Sequence, residues 1–279
     1  MKHYIGLDVS LKTTSICVMK EDEGILKEMC VTTTPQEIFT AINEMSIEIA
    51  RIGLEAGGTS HWLVKELEKL GLSVICIDSR KMSAAISIRT NKTDKNDAKE
   101  IANAMRTRYY REVYQKRDTS VATETILTGR RLLIDQRTQT TNYIKGVLRA
   151  QGKTHCGSSQ NQEKFVENIK QAMEDLSKDV CLSINALLKT YGAICKEIEK
   201  IDQKIEKITK NDEDVQLLKT IPGVGAITAL TFKLEIDDPS RFKKSRQVGA
   251  YLGMAPRQYS SGETQRQGPI SKTGSSELR

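Results

Sequence analysis

Two short apolar runs, each carrying an acid near its end, constrain this chain most. Tyr4-Ile-Gly-Leu-Asp-Val9 holds Asp8, and Arg51-Ile-Gly-Leu-Glu-Ala56 holds Glu55. An acid near the end of a buried strand is costly unless something pairs with it. A third segment, Thr93-Asp-Lys-Asn-Asp-Ala-Lys-Glu100, opens a helix with Asp94 and Asp97 three residues apart and so on one face. An Asp-x-x-Asp pair alone is usually solvated surface. Two strand acids together with this pair point to a shared divalent cation. Carboxylate oxygens are the ligands that Mg²⁺ (or Mn²⁺) prefers, and paired ions serve phosphodiester chemistry. Lys92, Lys95 and Lys99 add positive charge around the pair for a phosphate strand.

Charge agrees with such a partner. The 43 Lys+Arg against 36 Asp+Glu leave +7, which favours a polyanion, most often nucleic acid, over a neutral ligand. A solvated basic surface with no partner is the plain alternative. No apolar run approaches the roughly 18 residues that span a bilayer, and Met1–Ile5 reads as the start of a strand rather than a signal peptide. The six cysteines (17, 30, 76, 156, 181 and 195) show no C-x-x-C pair and no zinc spacing. They are expected to be reduced core thiols of a cytoplasmic protein. Aromatic residues are sparse, at 5%, which argues against base stacking as the main binding device.

Residues 3–9, 13–20 and 25–33 read as three strands rich in Ile, Val, Cys and Thr. A helix is expected from Pro35 to about Ala50, capped by Thr34, with Ile38, Ala41, Ile42, Met45 and Ile49 on its apolar face. Residues 51–56, a helix over Ser60–Leu70 and a strand over 73–78 follow. This order predicts a mixed α/β sheet with helices on its faces. From about Ser120 the pattern becomes long helices, over 123–151 and 162–210. In the second, Ile184, Leu187, Tyr191, Ile194, Ile198, Ile201, Ile205 and Ile208 form a heptad seam. A coiled coil between two copies would cover it, and so would a hairpin with the 123–151 helix.

Leu217–Leu230 contains Ile-Pro-Gly-Val-Gly between two helices, a helix-hairpin-helix signal. Gly223 and Gly225 would let a phosphate approach the N–H groups of the following helix. The alternative is a tight turn without a ligand. Further on, Ala-Tyr-Leu-Gly-Met-Ala-Pro-Arg-Gln-Tyr-Ser-Ser-Gly and Ile-Ser-Lys-Thr-Gly bring Arg257, Arg266 and Lys272 close in sequence to Ser260 and Ser261. A serine beside guanidinium groups can attack a phosphodiester, because their charge stabilises the developing anion. From composition alone an ordinary turn is the better reading of this segment.

Taken together, Gly-Leu-Asp-Val, Leu-Glu-Ala-Gly-Gly, Asn-Lys-Thr-Asp-x-x-Asp-Ala, Ile-Pro-Gly-Val-Gly and the two C-terminal motifs resemble the DEDD-type insertion-sequence transposases over nearly the whole chain. The resemblance implies a RuvC-like, RNase H-fold domain over 1–115, a helical coiled-coil region over 120–210, and a mainly α C-terminal transposase domain with a helix-hairpin-helix over 211–279. It implies that Asp8, Glu55, Asp94 and Asp97 are the metal ligands and that Ser261, the serine before glycine, is the nucleophile, with Ser260 adjacent. It further implies a DNA recombinase guided by a structured bridge RNA and acting as a homo-oligomer, a dimer or tetramer, with composite active sites. The chain stops just after Ile-Ser-Lys-Thr-Gly, where such proteins usually continue, so a truncated or inactive copy is expected. The competing readings are a RuvC-like endonuclease that uses only the four acids, an actin-like sugar kinase, and a non-catalytic nucleic-acid-binding remnant. The kinase is disfavoured because the helical region offers no glycine-rich phosphate loop.

Overall fold

A computed structural model describes residues 1–78, 94–154, 161–261 and 264–279, and the side chains of Asp94, Lys95, Ser260, Thr264 and Gln265 stand outside that description. The chain divides into two compact units, Met1–Gln115 and Lys116–Arg279.

The first unit is the expected mixed α/β sheet. Strands β1 (His3–Val9), β2 (Thr13–Lys20) and β3 (Ile25–Thr32) form an antiparallel meander, and β4 (Ile49–Glu55) and β5 (Val74–Ile77) add in parallel on the other side of β1. The strand order is β3-β2-β1-β4-β5. Alternation sorts the side chains between two faces. On one face Ile5, Leu7, Ile16, Val18, Ile52 and Leu54 meet Ile38 and Ile42 of helix α1 (Pro35–Asn43) and Leu63, Val64 and Leu67 of helix α2 (Ser60–Lys69). On the opposite face lie Tyr4, Cys17 and Met19, covered by Ala98, Ile101, Ala102 and Met105 of helix α3 (Asp94–Thr107).

Helix α3 rests almost directly on the backbone of β1. A Cβ built on Gly6 would lie 2.1 Å from the carbonyl oxygen of Ala98 and 2.4 Å from the Ala102 nitrogen. At Gly53 of the neighbouring strand it would lie 2.6 Å from the sulfur of Met105. Glycine inside a strand commonly marks such a close approach.

Helix α1 is capped as expected: the Thr34 hydroxyl accepts from the Glu37 N–H at 3.3 Å, and Pro35 occupies the first turn. It ends at Asn43 and not at Ala50. The chain turns through Ser46, at φ 49°, and residues 49–50 join β4 beside His3. Ile49 therefore packs on the core from a strand. Of the cysteines, Cys17 and Cys76 are buried, Cys181 and Cys195 half-buried, and Cys30 is exposed on edge strand β3, which corrects the core reading for that residue; Cys156 lies outside the described residues. Burial, with Glu28 nearby, pushes the Cys17 thiol up to about 11, so it stays protonated and unreactive.

The second unit is mainly helical. Helices α4 (Asp118–Ala150), α5 (Gln162–Ala172) and α6 (Lys178–Lys210) replace the two long helices expected. The predicted 162–210 helix is broken because Ser177 starts a new one, its hydroxyl accepting from the Val180 N–H. The α6 seam finds cover within its own chain. Ile184, Leu188 and Tyr191 pack with Ile144 and Leu148 of α4 and Phe165 and Ile169 of α5. Ile205 packs with Leu127, and with Val215 and Leu230 of helices α7 (Glu213–Leu218) and α8 (Ala226–Ile236). The coiled coil between copies is thus not needed to bury this stripe.

Helix α9 (Ser245–Tyr251) leads into a two-stranded antiparallel hairpin, β6 (Pro256–Ser261) and β7 (Thr264–Ile270). The C-terminal region stays mainly helical but adds this hairpin to the expected helices: Arg257, Tyr259 and Ser261 alternate with Gln258 along the segment, which suits a strand. Among the described residues no helix is long and apolar enough to cross a membrane.

The α3–β1 approach makes a direct prediction. Gly6→Ala forces a methyl group into the α3 backbone and should destabilise the first unit by about 3 kcal/mol, measurable as a lower urea midpoint. An unchanged midpoint would show that the helix is not seated there.

Candidate active site

The parallel pairing of β1 with β4 sets the geometry of the acids. The register aligns Gly6 with Gly53 and Leu7 with Leu54, so the next step along both strands is Asp8 beside Glu55. Adjacent strands lie roughly 4.8 Å apart. Leu7 and Leu54 point into the α1–α2 core, so Asp8 and Glu55 point to the face covered by α3. Both are half-buried and both make polar interactions.

Asp97 sits on α3 next to Ala98, the residue whose carbonyl touches the Gly6 position. Its Oδ1 is buried with no hydrogen-bond partner among the described residues. Asp94 begins the same helix one turn earlier. Asp8 and Glu55 thus stand at the C-terminal ends of β1 and β4, and Asp97 lies in the first turn of the helix that covers that face. Among the described residues, no three of His, Cys, Asp or Glu are already drawn into a metal-ligating group. The donor set nevertheless fits a hard divalent cation: all its members are carboxylates, and one buried oxygen lacks a donor.

The sheet-facing positions of α3 carry small residues, Ala98 and Ala102, which let the helix descend onto glycine. Its far end is held by Arg51, whose Nε donates to the Met105 carbonyl at 2.6 Å and whose Nη2 donates to that of Arg106 at 3.2 Å. A guanidinium there satisfies open carbonyls and complements the helix dipole. Sequence reasoning passed over Gly6, Gly53 and Arg51 in this role; the glycines inside two strand patterns were the available signal.

The basic residues named from sequence divide. Lys99 is half-buried on α3, Lys92 lies outside the described residues, and the Lys95 side chain is not described. In the second unit Gly223 adopts φ 85°, a conformation that glycine takes without penalty. Gly225 is the residue before α8, at φ −83° and ψ 172°, and a Cβ there would meet nothing within 4 Å.

Ser261 ends β6, exposed, and pairs across the hairpin with Thr264. Tyr259 pairs with Arg266 on the same face. Arg257 belongs to that face too, because a Cβ on Gly268 would meet both the Tyr259 ring and the Arg257 Cβ, at 3.2 and 3.5 Å. Ser261 thus shares its side of the hairpin with both arginines. Lys272 follows the hairpin at φ 55° and is exposed.

Comparison with known proteins places these motifs. Residues 5–151 match the DEDD_Tnp_IS110 transposase family model, and residues 215–279 match that of the transposase IS116/IS110/IS902 family. The chain is a transposase by class. It belongs to the IS110-type DEDD transposase family. It is 27% identical to the transposase for insertion sequence element IS1111A of Coxiella burnetii over 280 residues, covering 99% of this chain and 74% of the relative. It is also 27% identical to the transposase for insertion sequence element IS1328 of Yersinia enterocolitica over 230 residues, covering 82% of this chain and 67% of the relative. Among solved structures it matches T. thermophilus RuvC in complex with Holliday junction substrate, at 14% identity and a TM-score of 0.30, covering 40% of this chain and all of that one.

Asp97→Asn tests the acidic end. The substitution removes a negative charge whose buried oxygen has no donor, so in chelator-treated protein it should raise stability by about 1 kcal/mol in thermal unfolding. A loss of stability would make Asp97 a structural acceptor instead.

Proposed function

We propose that this chain cuts and rejoins the DNA of an insertion sequence by metal-assisted phosphoryl transfer with Ser261 as nucleophile. The observation that supports the reading is the β1–β4 register, which turns Asp8 and Glu55 to the side of the sheet covered by α3, in a chain of the DEDD family. Asp8, Glu55, Asp94 and Asp97 would hold Mg²⁺ or Mn²⁺. When bound, the ions supply charge neutralisation at the scissile phosphate.

The protein's own groups account for the remaining steps. The Ser261 Oγ attacks phosphorus, an Oγ–P bond forms, and the P–O bond of the strand breaks. The serine proton ends on the departing oxygen. Arg257 and Arg266, on the same hairpin face, stabilise the negative charge that builds on the phosphoryl oxygens. Attack by the hydroxyl of a second strand then releases Ser261 and joins the DNA. The arginines on the Ser261 side of the hairpin support Ser261 as the nucleophile, with Ser260 adjacent to it in the chain.

In this reading residues 1–115 form the RuvC-like catalytic domain, 120–210 a helical coiled-coil region, and 211–279 the transposase domain with its helix-hairpin-helix. The open ground beside Gly225, together with Gly223, supports a phosphate contact at the α8 N-terminus. Lys92, Lys95, Lys99 and Lys272 contribute charge along the strand. A structured bridge RNA guides the choice of target, and the protein works as a homo-oligomer in the cytoplasm.

Supercoiled element DNA, its flanking RNA and Mg²⁺ provide the test. A denaturing gel should show a covalent protein–DNA adduct that Ser261→Ala abolishes, that Ser260→Ala retains, and that Asp8→Asn reduces by at least about 100-fold. Cleavage that survives Ser261→Ala without an adduct indicates an endonuclease using the acids alone. Absence of both cleavage and adduct in every condition indicates a binding remnant.

A further inference from the structure

The sheet has a second, oppositely charged end. Where β1 and β4 begin and α3 finishes, a cleft of about 470 Å³ is lined by Lys2, Tyr4, Glu21, Arg51, Arg106 and Arg108 among others. Four cations and one acid line it. Six residues of strand separate Lys2 from Asp8, about 20 Å, and nine residues of helix separate Arg106 from Asp97, about 14 Å. No single phosphate can therefore lie at both ends.

Part of this charge is structural. Arg51 closes the end of α3 and lies over the Tyr4 ring at 4.9 Å from its centroid. Arg106 donates through Nη2 to Glu23 at 2.7 Å and to Asn103 at 3.0 Å, while its buried Nε has no acceptor among the described residues. Folding does not account for the rest. Lys2 and Arg108 are exposed and have no ion-pair partner among the described residues. Arg108 stands at φ 59°, a left-handed conformation disfavoured for an arginine. Next to it Tyr109 exposes 80% of its surface, and Arg111 is exposed beyond it. An exposed aromatic ring next in the chain to an unpaired cation at the cleft rim is the combination that unpaired nucleic-acid strands use: cations track the phosphates and the ring stacks a base.

We propose that this cleft is a second nucleic-acid site. Lys2 and Arg108 hold the phosphodiester backbone of an unpaired strand, and Tyr109 stacks one of its bases. The site is separate from the acidic end and does not depend on the catalytic reading of Ser261 or the four acids.

The test uses the full-length chain in chelator, so that no cleavage intervenes. Binding of a fluorescent 20-nucleotide single strand is measured as RNA and as DNA, over a salt series. Lys2→Glu combined with Arg108→Glu should weaken binding about tenfold or more and lower the slope of log K against log salt by about 1.4, two contacts at roughly 0.7 each. Tyr109→Ala should weaken it about tenfold with the slope unchanged, and Tyr109→Phe should restore it. All three positions are exposed, so melting temperatures should stay at the parent value. Loss on both strands indicates recognition of phosphate whatever the sugar, and loss on one identifies the strand that the cleft holds. Parental affinity and slope in the double variant would overturn the proposal. So would equal competition by poly-glutamate, which would make the cleft a site for acidic peptides. Full affinity of Tyr109→Ala would remove the stacked base and with it the case for an unpaired strand.

Discussion

The seating of one helix on a strand backbone decides the chemistry available to the first unit. With hydrogen in place of a side chain at Gly6, the Ala98 carbonyl and the Ala102 nitrogen come within reach of the β1 backbone. Any larger residue would lift α3 and carry Asp94 and Asp97 away from Asp8 and Glu55. The parallel β1–β4 pair fixes two of the acids without help from α3, because register alone places them side by side. The helix adds its acids only by lying flat, and Arg51 holds its other end down through two carbonyls. Positioning at both ends of a short, packed helix is more exacting than a site carried on loops.

What could be read beforehand follows from how local each signal is. Thr34-Pro35 states a helix start in two residues, and β1, β2 and β3 are runs of branched and apolar residues between breakers, so these were legible. The end of α1 was not: Ile49 continues the helical spacing of Ile38, Ala41, Ile42 and Met45, and only pairing with β1 shows it to be a strand residue. The break at Ser177 was hidden because apolar residues recur on both sides of it. The four acids were legible because charge inside an apolar run is conspicuous. How near α3 brings its acids to those of the strands depends on the α3–β1 distance, a tertiary quantity that the pattern of acids does not carry. The hairpin at 256–270 was missed for the opposite reason: Gly, Ser, Arg and Gln read as a loop until cross-strand pairing gives them alternation.

The seam on α6 shows how a strong periodic signal can leave its partner undetermined. A three-four repeat specifies a stripe to be buried, and helices α4, α5, α7 and α8 of the same chain bury it. Phe165 and Tyr191, 5.1 Å apart and tilted, anchor the middle of that packing. Assembly into oligomers, if it uses this unit, has other exposed surface to draw on, such as Leu132, Tyr143 and Leu182.

Alternation along β6 turns the pairing register of the hairpin into a parity switch. Insertion or loss of one residue before Tyr259 that slid the pairing by a single step would turn Tyr259 and Ser261 away from the side that Arg266 occupies, and a slip of two residues would return them to it.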